Sequence, residues 1–248
     1  MIVGRYWISV EDHDMNADTH TQHVETDSDW SLLKAAAPAS GKAAPTPAIP
    51  GGLPKVVLLG DSIRLGYQEF VRNALQGEAT VLFPPENCRF SQYLLRFVAN
   101  WKTDGQWGDD AALVHWNAGL WDCLRVDGEP PMTPLPFYRE MLGRTHRRLR
   151  RHFPEAKLVF ATTTPVIEAG YRQPERFARL NSEIADYNAA AREVLTPLGE
   201  EFDDLYDVMA GAPDEEHSDQ THWNTPAGTR RIGDAVVRCI RAALCAWA

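Results

Sequence analysis

From Lys55 onward, apolar stretches of two different periods alternate along the chain. KVVLLG (55–60) is a short β-branched run ended by glycine, the pattern of a strand buried on both faces. Residues 64–76 carry Leu65, Tyr67, Phe70, Val71 and Leu75 at spacings that predict a helix. ATVLF (79–83) reads as a second strand and SQYLLRFVANW (91–101) as a second helix. AALVHWN (111–117) is a third strand, apolar enough to be central. PFYREMLGRTHRRLRRHF (136–153) is a long helix whose basic last turns oppose the negative end of its dipole. KLVFATTTP (157–165) is a fourth strand, stopped by Pro165. A helix follows within 174–196, and EEFDDLYDVM (200–209) has room for a fifth strand. A last helix fills 225–247, opened by Thr225-Pro226, a cap followed by proline in the first turn.

This β-α order implies a parallel sheet covered on both faces. Right-handed crossovers make it a three-layer α/β/α sandwich of about five strands. Ligands of such sheets bind at the carboxyl ends of the strands. Functional residues are therefore expected just after Gly60, Phe83, Asn117 and Thr164, and in the loop before the last helix.

The first 50 residues read differently. Acidic and polar residues dominate Glu11 to Asp29, and KAAAPASGKAAPTPAIPGG follows. Such a stretch has too little periodic apolar surface to fold alone. Residues 1–50 are thus expected to be a flexible arm and linker, with the catalytic domain at 51–248. His20-x-x-His23 in this arm lacks a third metal ligand, so no metal or other cofactor is expected.

At 248 residues and 44% hydrophobic, the chain can bury a large core without staples. A formal net charge of −9 argues against nucleic acid as the main partner, since phosphate binding needs a basic footprint. The four cysteines include no C-x-x-C pair, and no disulfide framework is expected. The N-terminus lacks a basic segment followed by an apolar one, and no apolar run approaches the roughly 18 residues of a membrane span. A soluble cytoplasmic protein with no membrane partner is the expectation.

Three constellations carry chemistry. Ser62, in Gly60-Asp61-Ser62, falls at a strand-to-helix turn, where its hydroxyl is presented and its N–H lies at the positive helix end. Asp219-Gln220-Thr221-His222 offers a base and a carboxylate to orient it, on one side of a turn if helical. A serine hydroxyl needs such a base. Asn117, at the end of the central strand, can aim an amide N–H at an oxyanion. Each has a plainer reading: Asp61 or Ser62 as helix cap, Asp219 and His222 as a solvated pair, Asn117 as a turn residue. His115 and Trp116 read as core.

Together these residues resemble the SGNH, or GDSL, hydrolase family over about residues 55–245. Gly60-Asp61-Ser62 matches its first block and Asp219-x-x-His222 its last, about 160 residues apart. The resemblance implies a flavodoxin-like sandwich and ester hydrolysis through an acyl-serine. It implies Ser62 as nucleophile, His222 as general base and then acid, and Asp219 as its orienter.

The middle blocks depart from the family pattern of Gly-x-Asn-Asp. Gly119-Leu120-Trp121-Asp122 keeps its Gly and Asp, but Trp121 stands in the Asn slot. Asn117 is the nearby amide able to replace it. The second block's oxyanion glycine is absent, since no glycine lies between Ala79 and Asp104. The backbone N–H of Cys88 or Arg89 is the expected substitute, completing a hole with Ser62 and Asn117. Asp61, Trp121 and Trp223 are candidate pocket residues, the two rings as walls for a sugar or aryl group.

The expected function is a serine esterase acting on a small acyl ester, for which an O-acetyl group on a carbohydrate is one candidate, because no long insertion is available for an acyl tunnel. An acyltransferase on the same fold, and a catalytically weak binding or scaffold protein, remain alternatives. Deletion of residues 1–50 is expected to leave melting temperature and activity nearly unchanged. Thermal melts and ester assays of both forms check this, and a drop of more than several degrees would show that the arm packs on the domain.

Overall fold

The computed structural model describes residues 52–245. The 1–50 arm with its His20 and His23 therefore lies outside the described residues. Five parallel strands form one sheet: β1 (Lys55–Leu59), β2 (Thr80–Leu82), β3 (Ala111–Trp116), β5 (Lys157–Ala161) and β7 (Glu201–Asp203), in the order β2-β1-β3-β5-β7. That is the flavodoxin-like order, with the switch point between β1 and β3. The helices are α1 (Ser62–Ala74), α2 (Ser91–Asp104), α3 (Leu135–His152), α4 (Asn181–Leu195), α5 (Leu205–Ala210) and α6 (Pro226–Cys245). α1 packs with α6, and α2, α3 and α4 pack in sequence, giving the two outer layers. Every residue of β3 is buried, as its unbroken apolar run requires.

The two polar residues of β3 are absorbed by alternation. His115 faces one way, edge-on to Tyr67 of α1, with Nε2 2.9 Å from Oδ2 of Asp203, two strands away. Trp116 faces the other way and donates Nε1–H to Glu200 Oε2 at 2.8 Å, while His146 of α3 bonds the other Glu200 oxygen. Each sheet face thus carries one buried polar group that is paired rather than orphaned.

Two features lie outside the expected pattern. β4 (Arg125–Val126) and β6 (Phe177–Ala178) pair antiparallel as a separate two-stranded ladder. The stretch 200–209 divides into β7 and α5, with the Asp204 carboxylate capping α5 by accepting the Asp207 N–H. α2 has no side-chain cap of its own at Phe90. The Asp122 carboxylate, fully buried beyond β3, supplies it by accepting from Ser91 N–H at 3.1 Å and Ser91 Oγ–H at 2.6 Å. Burial outweighs these bonds and pushes the Asp122 pKa up to about 6.

α6 opens at Pro226, and Thr225 caps it by accepting the Gly228 N–H at 3.1 Å. A Cβ at Gly228 would sit 2.3 Å from the Glu216 carbonyl oxygen and 2.8 Å from that of Trp223. Both obstacles are backbone, so neither can swing aside. Gly228→Ala, which in an open helix would stabilise by about 1 kcal/mol, is expected here to destabilise by about 1–3 kcal/mol. A melt showing an unchanged or raised melting temperature would contradict the tight contact.

Candidate active site

Ser62 is the first residue of α1, where the carboxyl end of β1 turns into the helix. Gly60 is required there by crowding: a Cβ would lie 2.1 Å from Asn117 Oδ1 and 2.8 Å from Arg64 Cβ. Ser62 Oγ lies 2.9 Å from His222 Nε2, and His222 Nδ1 lies 2.7 Å from Asp219 Oδ2. The 219–222 segment is a loop turn, not the helical turn the spacing had suggested. Asp219 builds that turn itself, its Oδ1 accepting N–H bonds from Thr221 at 2.7 Å and His222 at 2.8 Å. Partial burial works against the Asp219 charge, but the His222 ring and the two N–H groups outweigh it and hold its pKa down at about 2. The carboxylate is therefore ionised throughout the neutral range, beside the ring nitrogen that faces away from Ser62.

Asn117 follows β3, and its N–H extends the strand pairing by donating to Leu59 O at 3.0 Å. Its side chain closes on Asp61. Asn117 Oδ1 accepts the Asp61 N–H at 3.3 Å, and Asn117 Nδ2 donates to Asp61 Oδ2 at 3.2 Å. Asp61 also caps α1, its Oδ1 accepting the Ile63 N–H at 2.9 Å. Asp61 is completely buried, and burial raises its pKa against the pull of these bonds. It is a helix cap and clamp, so its expected place as a pocket residue facing substrate is corrected.

The two backbone donors expected from the second block are also corrected. The Cys88 N–H is taken by the Gly60 carbonyl at 3.0 Å, and the Cys88 side chain is fully buried. The Arg89 N–H is taken by Asn87 Oδ1 at 2.7 Å. Arg89 adopts φ +52°, a left-handed conformation that glycine accepts freely and arginine at a cost. Of the expected hole residues, Ser62 keeps an N–H at the first turn of a helix, with no intrahelical acceptor. Asn117 Nδ2 keeps its second hydrogen.

Arg64 was not singled out by its sequence context, yet it is fully buried beneath this site. Its guanidinium donates to the carbonyls of Pro84 at 3.0 Å, Glu86 at 2.5 Å and Gly60 at 3.2 Å, and to the Gln68 side chain. It thereby ties the loop after β2 to the end of β1. Its position two residues after Ser62, within the first turn of α1, is the only sequence signal for it.

Trp223 is 3% exposed, with its ring centroid 3.4 Å from that of His217 and the two planes inclined at 35°. A ring so covered has no face to offer a sugar, which corrects that expectation. Trp121 stands half-buried on the loop after β3. Thr162, Thr163 and Thr164 line a small cavity of about 10 Å³ with Asp61 and Asn117, on the inner side of the clamp. The long connection 165–180 docks on the loop that carries the histidine. Ile167 N–H donates to Gln220 O at 2.9 Å, and Tyr171 Oη lies 3.2 Å from Thr221 Oγ1. Among the described residues no cluster of His, Cys, Asp or Glu is placed to hold a metal ion, and no helix is long and apolar enough to cross a membrane.

No protein-family model matches the chain, and no curated protein matches its sequence. Solved structures do match its fold. A lipase/acylhydrolase from Enterococcus faecalis superposes with a TM-score of 0.60 at 20% identity, covering 77% of this chain and 96% of that one. An acetyl xylan esterase matches with a TM-score of 0.58 at 15% identity, over 75% and 99% of the two chains. A GDSL-like lipase from Bacteroides thetaiotaomicron matches with a TM-score of 0.57 at 18% identity, over 87% and 97%. The chain has the three-layer α/β/α fold of GDSL-type hydrolases.

Asp219→Asn is expected to lower kcat/KM by about 10³–10⁴ across the whole interval from pH 5 to 9, because the carboxylate is ionised at every point of it. A pH–rate profile checks this. A loss that fades towards the acid side would mean that Asp219 titrates there.

Proposed function

We propose that the protein is a serine esterase that forms an acyl-serine at Ser62. The observation that carries this reading is the continuous relay from Ser62 Oγ to His222 Nε2 at 2.9 Å and from His222 Nδ1 to Asp219 at 2.7 Å, at the carboxyl edge of the sheet. His222 takes the proton as Ser62 Oγ attacks the ester carbonyl, and Asp219 supports the imidazolium. The oxyanion is held by the Ser62 N–H, reinforced by the α1 dipole, and by the free hydrogen of Asn117 Nδ2. His222 then protonates the departing alcohol, and water deacylates Ser62 by the reverse roles.

The substrate class is a small acyl ester, with an O-acetylated carbohydrate the favoured case. The acetyl xylan esterase among the solved structures of similar fold supports it. Half-buried Trp121 supports it too, as the remaining aromatic of the expected pocket. The occupied N–H groups of Cys88 and Arg89 favour a second reading, a catalytically weak binding protein whose hole has lost a donor.

Ser62→Ala is expected to lower kcat on para-nitrophenyl acetate by about 10⁴ or more, His222→Ala by a similar factor, and the double variant by little more, because the residues act as a unit. Additive losses would contradict a shared relay. Labelling of Ser62 by a fluorophosphonate separates the two readings: a binding protein would label no faster than its unfolded chain. Turnover with and without an acceptor alcohol separates hydrolysis from acyl transfer.

A further inference from the structure

The connection between β5 and α4 crosses from the histidine loop to the asparagine loop. At one end it meets Gln220 and Thr221, and at the other β6 pairs with β4 beyond Asp122. Arg179 is the first residue after β6. Its Nε–H donates to the Leu120 carbonyl at 2.5 Å, three residues past Asn117 on the same loop. That bond fixes the guanidinium plane against the wall of the site. The two terminal nitrogens donate to no described residue, and the side chain is partly exposed.

Other described arginines also lack an ion pair, and what sets Arg179 apart is its bond to the loop that carries Asn117. The protein is acidic, and Arg125, Arg139, Arg192, Arg231 and Arg241 each pair with a carboxylate. Arg179 forms no ion pair among the described residues. Its charge nonetheless reaches the Asp61 carboxyl, next in sequence to Ser62, whose raised pKa it pulls down. A cation held on one edge by a carbonyl presents its outer edge in the fork geometry that matches a carboxylate.

We propose that Arg179 is a specificity residue that binds a carboxylate carried by the ester substrate, from its place on the loop that carries Asn117. This rests on the esterase reading and adds to it a substrate charge. The carboxylate can sit on the acyl side or on the alcohol side of the scissile bond, and matched pairs distinguish the two. para-Acetoxybenzoate against para-acetoxybenzamide tests the alcohol side. The para-nitrophenyl monoester of succinic acid against that of succinamic acid tests the acyl side.

The wild type is expected to prefer the charged member of one pair, in KM rather than kcat. Arg179→Gln should reduce that preference, expressed as a ratio of kcat/KM values, by about 10-fold or more. Arg179→Lys should restore part of it. Parallel losses on both members, with the ratio unchanged, would make Arg179 a structural counter-ion of Asp61 and overturn the proposal. So would an absence of charge preference in the wild type when the neutral esters are hydrolysed. Failure of the wild type on all four esters, with no fluorophosphonate labelling of Ser62, would instead overturn the esterase reading and the proposal with it.

Discussion

The buried carboxylate of Asp61 is the constraint from which the site follows. A carboxylate taken wholly out of water must be met by donors, and here two of them belong to different parts of the chain. The Ile63 N–H comes from the helix that Asp61 caps, and the Asn117 amide comes from the far end of the neighbouring strand. One side chain thereby fixes the start of α1 against the end of β3. Ser62 lies between the cap and the helix, so its position is set by both. Arg64 completes the arrangement from below, because its buried guanidinium donates to the carbonyls of Gly60, Pro84 and Glu86 as well as to the Gln68 side chain. The β1 turn, the β2 loop and the β3 end are held as one body at the switch point of the sheet.

The histidine side is built by another principle. Asp219 spends one oxygen on the backbone of its own turn and the other on the His222 ring. The turn that presents the histidine is thus made by the residue that orients it. α6 supports the turn from behind, with Gly228 close against the carbonyls of Glu216 and Trp223. The two halves of the site meet across a single hydroxyl, Ser62 Oγ. Small displacements of either half would lengthen that contact, which is why the serine half is anchored by buried hydrogen bonds and the histidine turn by the two backbone N–H groups that Asp219 accepts.

The loop after β2 is held in place while its backbone donors are taken by acceptors of the protein itself. Arg64 and the Cys88 N–H hold the loop against Gly60, and Arg89 takes the left-handed conformation that a glycine would take. The loop is therefore in place, but its N–H groups are turned to Gly60 and Asn87. On the esterase reading proposed above, oxyanion stabilisation would fall on the α1 N-terminus and on Asn117. The amide clamps Asp61 with one hydrogen, and the other is the one that reading gives to the oxyanion.

The sequence by itself determined the sheet, most of the helices and the residues of the relay. Those features are written in local periods: five apolar runs, amphipathic helices, and short blocks at strand ends whose place follows from topology. It also marked Asn117, because an amide at the end of the most apolar strand is conspicuous. What only the tertiary structure decided are the matters of pairing. Whether the N–H of Cys88 or Arg89 is free depends on Gly60 and Asn87. Whether Asp61 faces substrate or core depends on Asn117, 56 residues away. Whether Trp223 is a wall or a covered core ring depends on His217. The β4–β6 ladder, two residues long on each side, has no period at all and exists only because the 165–180 connection is carried back across the site. A hydrophobic pattern specifies which face of an element is buried, since that free energy sums along the element. A hydrogen-bond partner is set by single atoms brought together from distant positions, and no local pattern contains it.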